Sequence, residues 1–204
     1  MTRVRWAVIV ALVTALAGDM AAQGTAPKPA PKPKPAPAKP ASPAKPAPAA
    51  APATASMLVV DTTKGVVEIE LYPADAPKTV AHIAALARRN FYNGLRIHRV
   101  EPGFVVQFGD PLTRDMTKKA LWGTGGSGRT VGVGETKRTH QLGSVAMAHA
   151  GDPAKADSQM YILLRTAATA LDGKYAVFGQ VVTGMDVVQT IAAGDMIRRV
   201  TVKP

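Results

Sequence analysis

The sequence predicts a mainly β fold, an antiparallel barrel of short strands with two helices, over residues 57–204. Three observations favour this class. Short runs rich in valine, isoleucine and leucine recur in this region, and apolar residues at helical spacing occur in two places. The strand-like runs also do not alternate with helices, as they would in a parallel α/β sheet.

The first elements of this region are a hairpin and a helix. Residues 57–62 are apolar and β-branched, residues 63–65 (TKG) supply turn chemistry, and apolar and acidic side chains alternate over residues 67–71. This alternation predicts a strand with one buried and one solvated face. Near Pro77 the apolar spacing changes to that of a helix, which is expected to end before Asn90.

The later elements are short strands and one more helix. Apolar residues between 187 and 191 predict the second helix, and residues 197–202 predict a closing strand. The remaining predicted strands are residues 105–107, 143–148, 160–164 and 177–182.

Residues 1–22 are predicted to be a signal peptide or an N-terminal anchor. Arg3 and Arg5 give a positive start, residues 6–17 form an apolar run, and small residues follow. The run is short for a membrane span, which needs roughly 20 apolar residues. Three alternatives stay open: a cleaved leader, a membrane tether through residues 6–17, and a buried helix of the fold. We expect an exported protein of the periplasm or cell envelope, secreted or membrane-anchored.

Residues 23–56 are predicted to be a disordered linker rich in proline, alanine and lysine. Eleven of the 17 prolines fall between Pro27 and Pro52, where no large apolar side chain occurs. Such a segment cannot build a core and favours the polyproline II conformation. It is expected to be a spacer, either inert or with lysines that also contact anionic envelope polymers or lipid headgroups.

The charge of the chain is divided between the two regions. The whole chain has 25 basic and 14 acidic residues, of which seven basic and one acidic residue precede Met57. The 18 basic and 13 acidic residues that remain form no dense basic stripe with interleaved aromatics, so we expect no nucleic-acid partner. The chain has no cysteine, which excludes disulfides, thiolate catalysis and cysteine-ligated metal.

Common catalytic and ligand motifs are also missing. The glycine-rich stretch from Gly123 to Gly128 does not have the phosphate-loop pattern, and Ser144 and Ser158 lack the glycines of a nucleophile elbow. The histidines do not have the compact spacing of a zinc site, so no zinc site is expected. These histidines are His82, His98, His140 and His149.

Three further segments carry a distinctive combination of residues. In IHRVEPGFVVQFGD, residues 97–110, a Pro-Gly turn separates Arg99 from Phe104. Val105 and Gln107 are two apart and therefore share one face of a strand. The other segments are GSVAMAHAG with DSQMYI (residues 143–151 and 157–162) and LDGKYAVFG (residues 171–179).

In this order, the three segments resemble those of cyclophilins, and the resemblance extends over about residues 58–203. It implies a cyclophilin-like domain at residues 57–204: an eight-stranded antiparallel closed β-barrel capped by two α-helices. It also implies a peptidyl-prolyl cis-trans isomerase that acts on proline-containing polypeptides without metal, cofactor or covalent intermediate. We further expect a monomer.

The resemblance also assigns roles by position. Arg99 corresponds to the catalytic arginine of the family, with Phe104 and Gln107 beside it in the catalytic group. The expected substrate-binding residues are Val105, Ala148, His149, Gln159, Tyr161, Leu171 and Tyr175. Ala148 and His149 correspond to a stretch that pairs with the substrate backbone, so the imidazole itself is not expected to transfer protons.

The chemistry of arginine supports this assignment independently. Twisting an X–Pro bond returns a lone pair to the prolyl nitrogen, and a fixed cation near this nitrogen stabilises the twisted state. Five of these residues also have an alternative: a surface role for Arg99, a structural hydrogen bond for Gln107, and packing in the core for Phe104, Tyr161 and Leu171.

Two positions depart from the resemblance. Ala170 stands where many cyclophilins have a large aromatic residue, and Tyr175 replaces a frequent histidine, so weak binding of the family's cyclic-peptide immunosuppressant is expected. Met160 is expected to point away from Tyr161, into the core. As alternatives to an isomerase, the chain could be a proline-peptide-binding module or chaperone, or a polyanion-binding envelope protein.

Overall fold

The structure, a computed structural model, describes residues 57–204. The predicted leader and linker lie outside these residues and stay predictions. The strands are β1 (Met57–Thr62), β2 (Gly65–Leu71), β3 (Arg99–Glu101), β4 (Val105–Phe108), β5 (Ser144–Met147), β6 (Met160–Leu163), β7 (Val177–Thr183) and β8 (Ile197–Lys203). The α-helices are α1 (Pro77–Arg88) and α2 (Met185–Thr190), and the short 3₁₀ helices are Pro111–Arg114, Met116–Leu121, Pro153–Lys155 and Thr169–Leu171.

The eight strands form one antiparallel sheet in the order β3-β4-β6-β5-β7-β2-β1-β8. The predicted hairpin is the β1–β2 pair, in which Val60 lies opposite Val67. Both residues are buried, and for Val67 the alternating pattern of residues 67–71 predicted this. α1 packs against β8 and α2 against β2, so the two predicted helices lie against strands of this sheet.

The sheet curls into an open half-barrel, and the expected closed barrel is not shown. β3 and β8 end the strand order and do not pair within the described residues. The chain just before β3 makes one isolated bridge to the region of β8, between Arg96 and Met196. β3 has only three residues, and its one ladder within the described residues is with β4, so no second ladder closes the sheet.

Side chains of the sheet pack on two faces. On β6, Met160 and Ile162 belong to the main core, whereas Tyr161 and Leu163 belong to a second apolar cluster. The alternation of a strand causes this separation, and it confirms that Met160 points away from Tyr161. The largest fully buried side chains of the main core are Leu58, Ile69, Ile83, Leu86, Tyr92, Leu95, Ile97, Phe108, Met147, Met160 and Phe178.

Helix α1 begins at Pro77, whose fixed φ and missing N–H suit the first helical position. The N-cap residue of α1, Ala76, makes no side-chain hydrogen bond to the N-terminus of the helix. Instead, the Glu135 carboxylate accepts hydrogen bonds from the Lys78 N–H at 2.8 Å and from the Thr79 hydroxyl at 2.8 Å. Within residues 57–204, no helix has the length and apolar character needed to cross a membrane.

Candidate active site

The site begins at the turn between β3 and β4. Pro102 and Gly103 occupy its centre, with Gly103 at φ +69°, and the Phe104 N–H donates to the Glu101 carbonyl at 2.9 Å. A turn with proline followed by a glycine at positive φ is a common way to reverse the chain. The turn sets the register of the hairpin, in which Arg99 lies opposite Gln107.

A cavity of about 630 Å³ lies on the face of the sheet opposite the main core. All ten residues that the sequence assigned to the site line this cavity: Arg99, Phe104, Val105, Gln107, Ala148, His149, Gln159, Tyr161, Leu171 and Tyr175. It is completed by residues that the assignment did not include, namely Gly123, Thr124, Gly125, Gly126, Ala150, Lys155 and Asp157.

The floor of the cavity is apolar. Val105 and Tyr161 are buried in the second apolar cluster, and Phe104 and Leu171 pack against it while remaining partly accessible. This arrangement agrees with the expected apolar pocket. For Tyr161 it also agrees with the alternative of packing in the core, since this side chain is buried. An apolar cavity with a few convergent polar groups is typical of a ligand site.

Arg99 lies at the rim of the cavity, and its side chain is 44% exposed. Its Nη1 donates to Gln107 Oε1 at 3.0 Å, and its Nε donates to Glu101 Oε1 at 3.0 Å. Its Nη2 also donates to the same Glu101 oxygen, at 2.5 Å. A guanidinium has five N–H donors, so one donor on Nη1 and one on Nη2 have no partner within residues 57–204.

Gln107 is part of a chain of side-chain amides. Its Nε2 donates to Gln159 Oε1 at 2.9 Å. Gln159 Nε2 in turn donates to the carbonyls of Gly123 at 2.9 Å and Gly125 at 2.8 Å. The glycine-rich loop is therefore connected to Arg99 by two amide groups.

Two carboxylates accept hydrogen bonds from backbone N–H groups of the same glycine-rich loop. Asp110 is fully buried, and its Oδ2 accepts hydrogen bonds from the N–H groups of Gly123 and Gly125. Asp157 accepts from the N–H groups of Ser127 and Gly128. The loop is thus held by hydrogen bonds to these carboxylates and forms one wall of the cavity.

A buried histidine supports the aromatic wall. His140 Nδ1 lies 2.8 Å from Asp172 Oδ1, and His140 Nε2 lies 2.8 Å from the Tyr161 hydroxyl. The carboxylate can only accept, so Nδ1 carries the proton and Nε2 accepts from Tyr161. Burial raises the pKa of Tyr161, and the hydrogen bonds from His140 lower the pKa of Asp172.

The imidazole of His149 contacts neighbouring protein groups. It stacks on the Tyr175 ring with centroids 4.3 Å apart, and its Nε2 donates to the Lys174 carbonyl at 3.0 Å. The Tyr175 ring meets the Tyr161 ring edge-on at 5.9 Å. His149 therefore contributes an apolar ring surface and its backbone to the cavity. His98 does not line the cavity, and burial lowers its pKa.

Backbone groups are available along the same wall. The Ala148 N–H bonds to the Gln159 carbonyl at 2.9 Å, but the Ala148 carbonyl and the His149 N–H have no backbone partner in the part of the chain that the structure describes. An extended peptide could pair with these two groups. In the same residues, no group of three or more metal-ligating side chains occurs.

Sequence reasoning did not identify the residues that support the site. Glu101 could have been found, because it is two residues from Arg99 and so shares its face of the strand. His140 and Asp172 gave no signal, since they are distant in sequence from each other and from Tyr161. Only folding brings these three together.

Comparisons with known proteins agree with this geometry. The sequence model of the family described as cyclophilin type peptidyl-prolyl cis-trans isomerase/CLD matches residues 57–204. The chain is 39% identical over 153 residues to the peptidyl-prolyl cis-trans isomerase B of Bacillus subtilis, covering 74% of this chain and 98% of that protein. It is 37% identical over 145 residues to a peptidyl-prolyl cis-trans isomerase of Helicobacter pylori, covering 69% and 83%.

The fold is also similar to solved structures. A cyclophilin-type isomerase of Cryptosporidium parvum, solved in the presence of the dipeptide Ala-Pro, superposes with a TM-score of 0.62 at 22% identity. This match covers 72% of this chain and 99% of that structure. Fold, cavity and sequence similarity lead to one conclusion: the chain belongs to the family of cyclophilin-type peptidyl-prolyl cis-trans isomerases.

Proposed function

We propose that this chain catalyses cis-trans isomerisation of X–Pro bonds in polypeptides, as a folding enzyme exported to the cell envelope. The catalytic part of this proposal depends on the Arg99 guanidinium. It lies at the rim of an apolar cavity, and two of its N–H donors have no partner within residues 57–204. In the proposal these donors contact the prolyl peptide bond.

The barrier arises from the partial double bond of the peptide unit, about 18–20 kcal/mol. When the bond twists, resonance is lost and the prolyl nitrogen regains its lone pair. An N–H of Arg99 that donates to this nitrogen binds the twisted state more strongly than the planar one, which lowers the barrier. No bond other than hydrogen bonds has to form or break.

The apolar floor gives the proline ring its place. Phe104, Val105, Tyr161 and Leu171 enclose a surface suited to a pyrrolidine ring. The Ala148 carbonyl and the His149 N–H would hold the peptide on one side of the bond, so that the other side can rotate. Fixing the substrate in this way adds to catalysis by orientation.

The energy required shows that Arg99 does not act alone. Shortening a process of roughly ten seconds to milliseconds requires about 5.5 kcal/mol of preferential stabilisation. One hydrogen bond to a charged group contributes about 1.5–3 kcal/mol. The shape of the cavity and the exclusion of water by the bound peptide must supply the remainder.

The test compares the relaxation rate of an X–Pro peptide from cis to trans for the full chain and its Arg99→Ala variant. We expect the wild type to accelerate relaxation, and the variant to lose about 100-fold, the usual loss for one catalytic hydrogen-bond donor. Arg198→Ala is the control, because Arg198 is exposed on β8 and pairs with Asp61, outside the cavity. Its rate should equal that of the wild type.

Other outcomes would assign other functions. Equal rates for the wild type and Arg99→Ala would remove the catalytic assignment of this arginine. A wild type that binds the peptide without accelerating relaxation would favour a binding module or chaperone, the alternative that the sequence left open.

The compartment is proposed from the first 22 residues. A positive start, an apolar run and small residues are together typical of an export signal. The test expresses the full chain in a bacterium with two membranes, fractionates the cells and measures the mass of the mature protein. Cleavage near residue 22 would support a periplasmic protein, and an intact N-terminus in the membrane fraction an anchored one. An intact protein in the cytoplasm would contradict export.

The role of the linker is tested separately. If its lysines bind envelope polyanions or lipid headgroups, deletion of residues 27–52 should abolish retention in the envelope fraction at low salt and leave isomerase activity intact. If retention is unchanged, the linker is only a spacer.

A further inference from the structure

Glu101 is the second acceptor of the Arg99 guanidinium. Both residues lie on β3, two positions apart, and their side chains share one face of the strand. The Nε and Nη2 groups of Arg99 donate to Glu101 Oε1 at 3.0 Å and 2.5 Å. We propose that Glu101 is a positioning residue, which holds Arg99 in the orientation that catalysis needs. This inference rests on the proposed function.

The donors of Arg99 show what this contact achieves. Glu101 occupies the edge of the guanidinium formed by Nε and Nη2, and Gln107 occupies one hydrogen of Nη1. The planar group is thus held at two points. Its remaining N–H groups, one on each terminal nitrogen, have their direction fixed before a substrate arrives.

Gln107 by itself would not fix the guanidinium. It offers one oxygen to one nitrogen, at 3.0 Å, and its amide nitrogen is committed to Gln159. A long arginine side chain held at one atom can still rotate about its other bonds. The second contact, from Glu101, removes this freedom.

The exposure of the pair indicates that it does not serve folding. The side chains of Arg99 and Glu101 are 44% and 49% exposed, and ion pairs at such positions contribute little to stability. A group that is oriented in advance loses less freedom when it binds the transition state. The contact therefore acts on catalysis, through Arg99, and Glu101 itself need not touch the substrate.

A matched pair elsewhere on the sheet provides a control. Glu68 on β2 forms a 3.3 Å ion pair with Lys203 on β8, and the two side chains are 31% and 59% exposed. Neither residue lines the cavity. Glu68→Ala removes a partly exposed carboxylate from a strand without affecting Arg99, so its activity should equal that of the wild type.

The experiment compares Glu101→Ala with Glu101→Gln in the full chain. Alanine removes the acceptor, and we expect kcat/KM to fall about fivefold or more, mainly through kcat, as for a misplaced catalytic group. Glutamine keeps an acceptor oxygen, so it should retain activity within about twofold of the wild type. The Arg99 Nε–H signal, observed by ¹⁵N NMR, should move and exchange faster with water in Glu101→Ala, and change little in Glu101→Gln.

Several results would overturn this inference. Wild-type kinetics in Glu101→Ala would show that Gln107 orients Arg99 without help, and faster turnover would show that the carboxylate competes with the substrate. An unchanged Nε–H signal in Glu101→Ala would exclude positioning directly. The NMR measurement needs no activity, so it decides this inference even if the wild type does not accelerate isomerisation, an outcome that would refute the proposed function alone.

Discussion

Gln107 on β4 and Gln159 just before β6 share a side-chain hydrogen bond, from Nε2 of Gln107 to Oε1 of Gln159, with a length of 2.9 Å. The bond joins two groups that are far apart in sequence. On one side Gln107 accepts from Arg99, and on the other Gln159 donates to the carbonyls of the glycine-rich loop. The wall of the cavity and its arginine are thus parts of one hydrogen-bond network.

This network predicts that Gln159→Leu impairs catalysis. Leucine has a similar size but removes the donor to two loop carbonyls and the acceptor for Gln107. We expect kcat/KM to fall about tenfold, because Gln107 and the loop lose their fixed geometry. Relaxation of an X–Pro peptide measures this effect.

Gln180→Leu is the control for that prediction. Gln180 also donates from its amide to a backbone carbonyl, that of Leu142 at 2.7 Å, but it does not line the cavity. A loss of kcat/KM as large as in Gln159→Leu would contradict a specific role of the network. In a double-mutant cycle, Gln107→Leu and Gln159→Leu should be less than additive, since both break the same bond.

Tyr161→Phe is predicted to destabilise the fold while keeping the aromatic wall. The ring remains, but the buried His140 Nε2 loses the donor that lies 2.8 Å away. An unsatisfied buried acceptor costs about 1–3 kcal/mol, and the free energy of unfolding in urea should fall by this amount. Tyr175→Phe should cost much less, because the Tyr175 hydroxyl has no hydrogen bond within residues 57–204. Equal losses in the two variants would contradict the role of His140.

The hydrogen bonds of Glu135 predict that part of the free energy of unfolding depends on pH. Burial raises the pKa of its carboxyl, but the hydrogen bonds from Lys78 and Thr79 outweigh this effect, so the pKa lies below its ordinary value. A carboxyl with a lowered pKa in the folded state stabilises the fold above its unfolded pKa, and this contribution is lost as the pH falls through the folded pKa. Glu135→Ala should cost about 1 kcal/mol at pH 7.

The measurement is urea unfolding of wild type and Glu135→Ala at pH 7 and at progressively lower pH, down to acid in which the wild-type carboxyl is protonated. The difference between the two proteins should shrink as the pH falls. A difference that does not change with pH would show that the charge of Glu135 has no part in holding the start of α1.

Ala170 predicts weak binding of the family's cyclic-peptide immunosuppressant. It lies in the 3₁₀ helix Thr169–Leu171, directly before the pocket residue Leu171, and offers only a methyl group. Ala170→Trp adds a large apolar wall and an indole N–H, and should tighten binding about tenfold or more. Isothermal titration calorimetry measures the affinity. Ala170→Leu, which adds apolar surface without the N–H, should give a smaller gain, and unchanged affinity in both variants would contradict the prediction.

Local patterns were sufficient for most elements of the fold. Strand alternation gave the hairpin of β1 and β2 and the separation of Met160 from Tyr161, and the change of period at Pro77 gave the start of α1. The closed barrel was not found, because closure depends on whether the two edge strands reach each other. This is a long-range property that the pattern of a short strand such as β3 does not contain.

The candidate site, like the fold, has features that the sequence predicts and features that depend on tertiary contacts. By itself the sequence identified the candidate site residues, through the resemblance of three segments to those of cyclophilins. It also predicted that Val105 and Gln107 share one face of a strand, as they do on β4. The tertiary structure alone decided which groups hold them: His140 behind Tyr161, and Asp110 behind the glycine loop. These partners are polar side chains without periodicity, and they acquire a role only when folding buries them beside a group that needs a hydrogen bond.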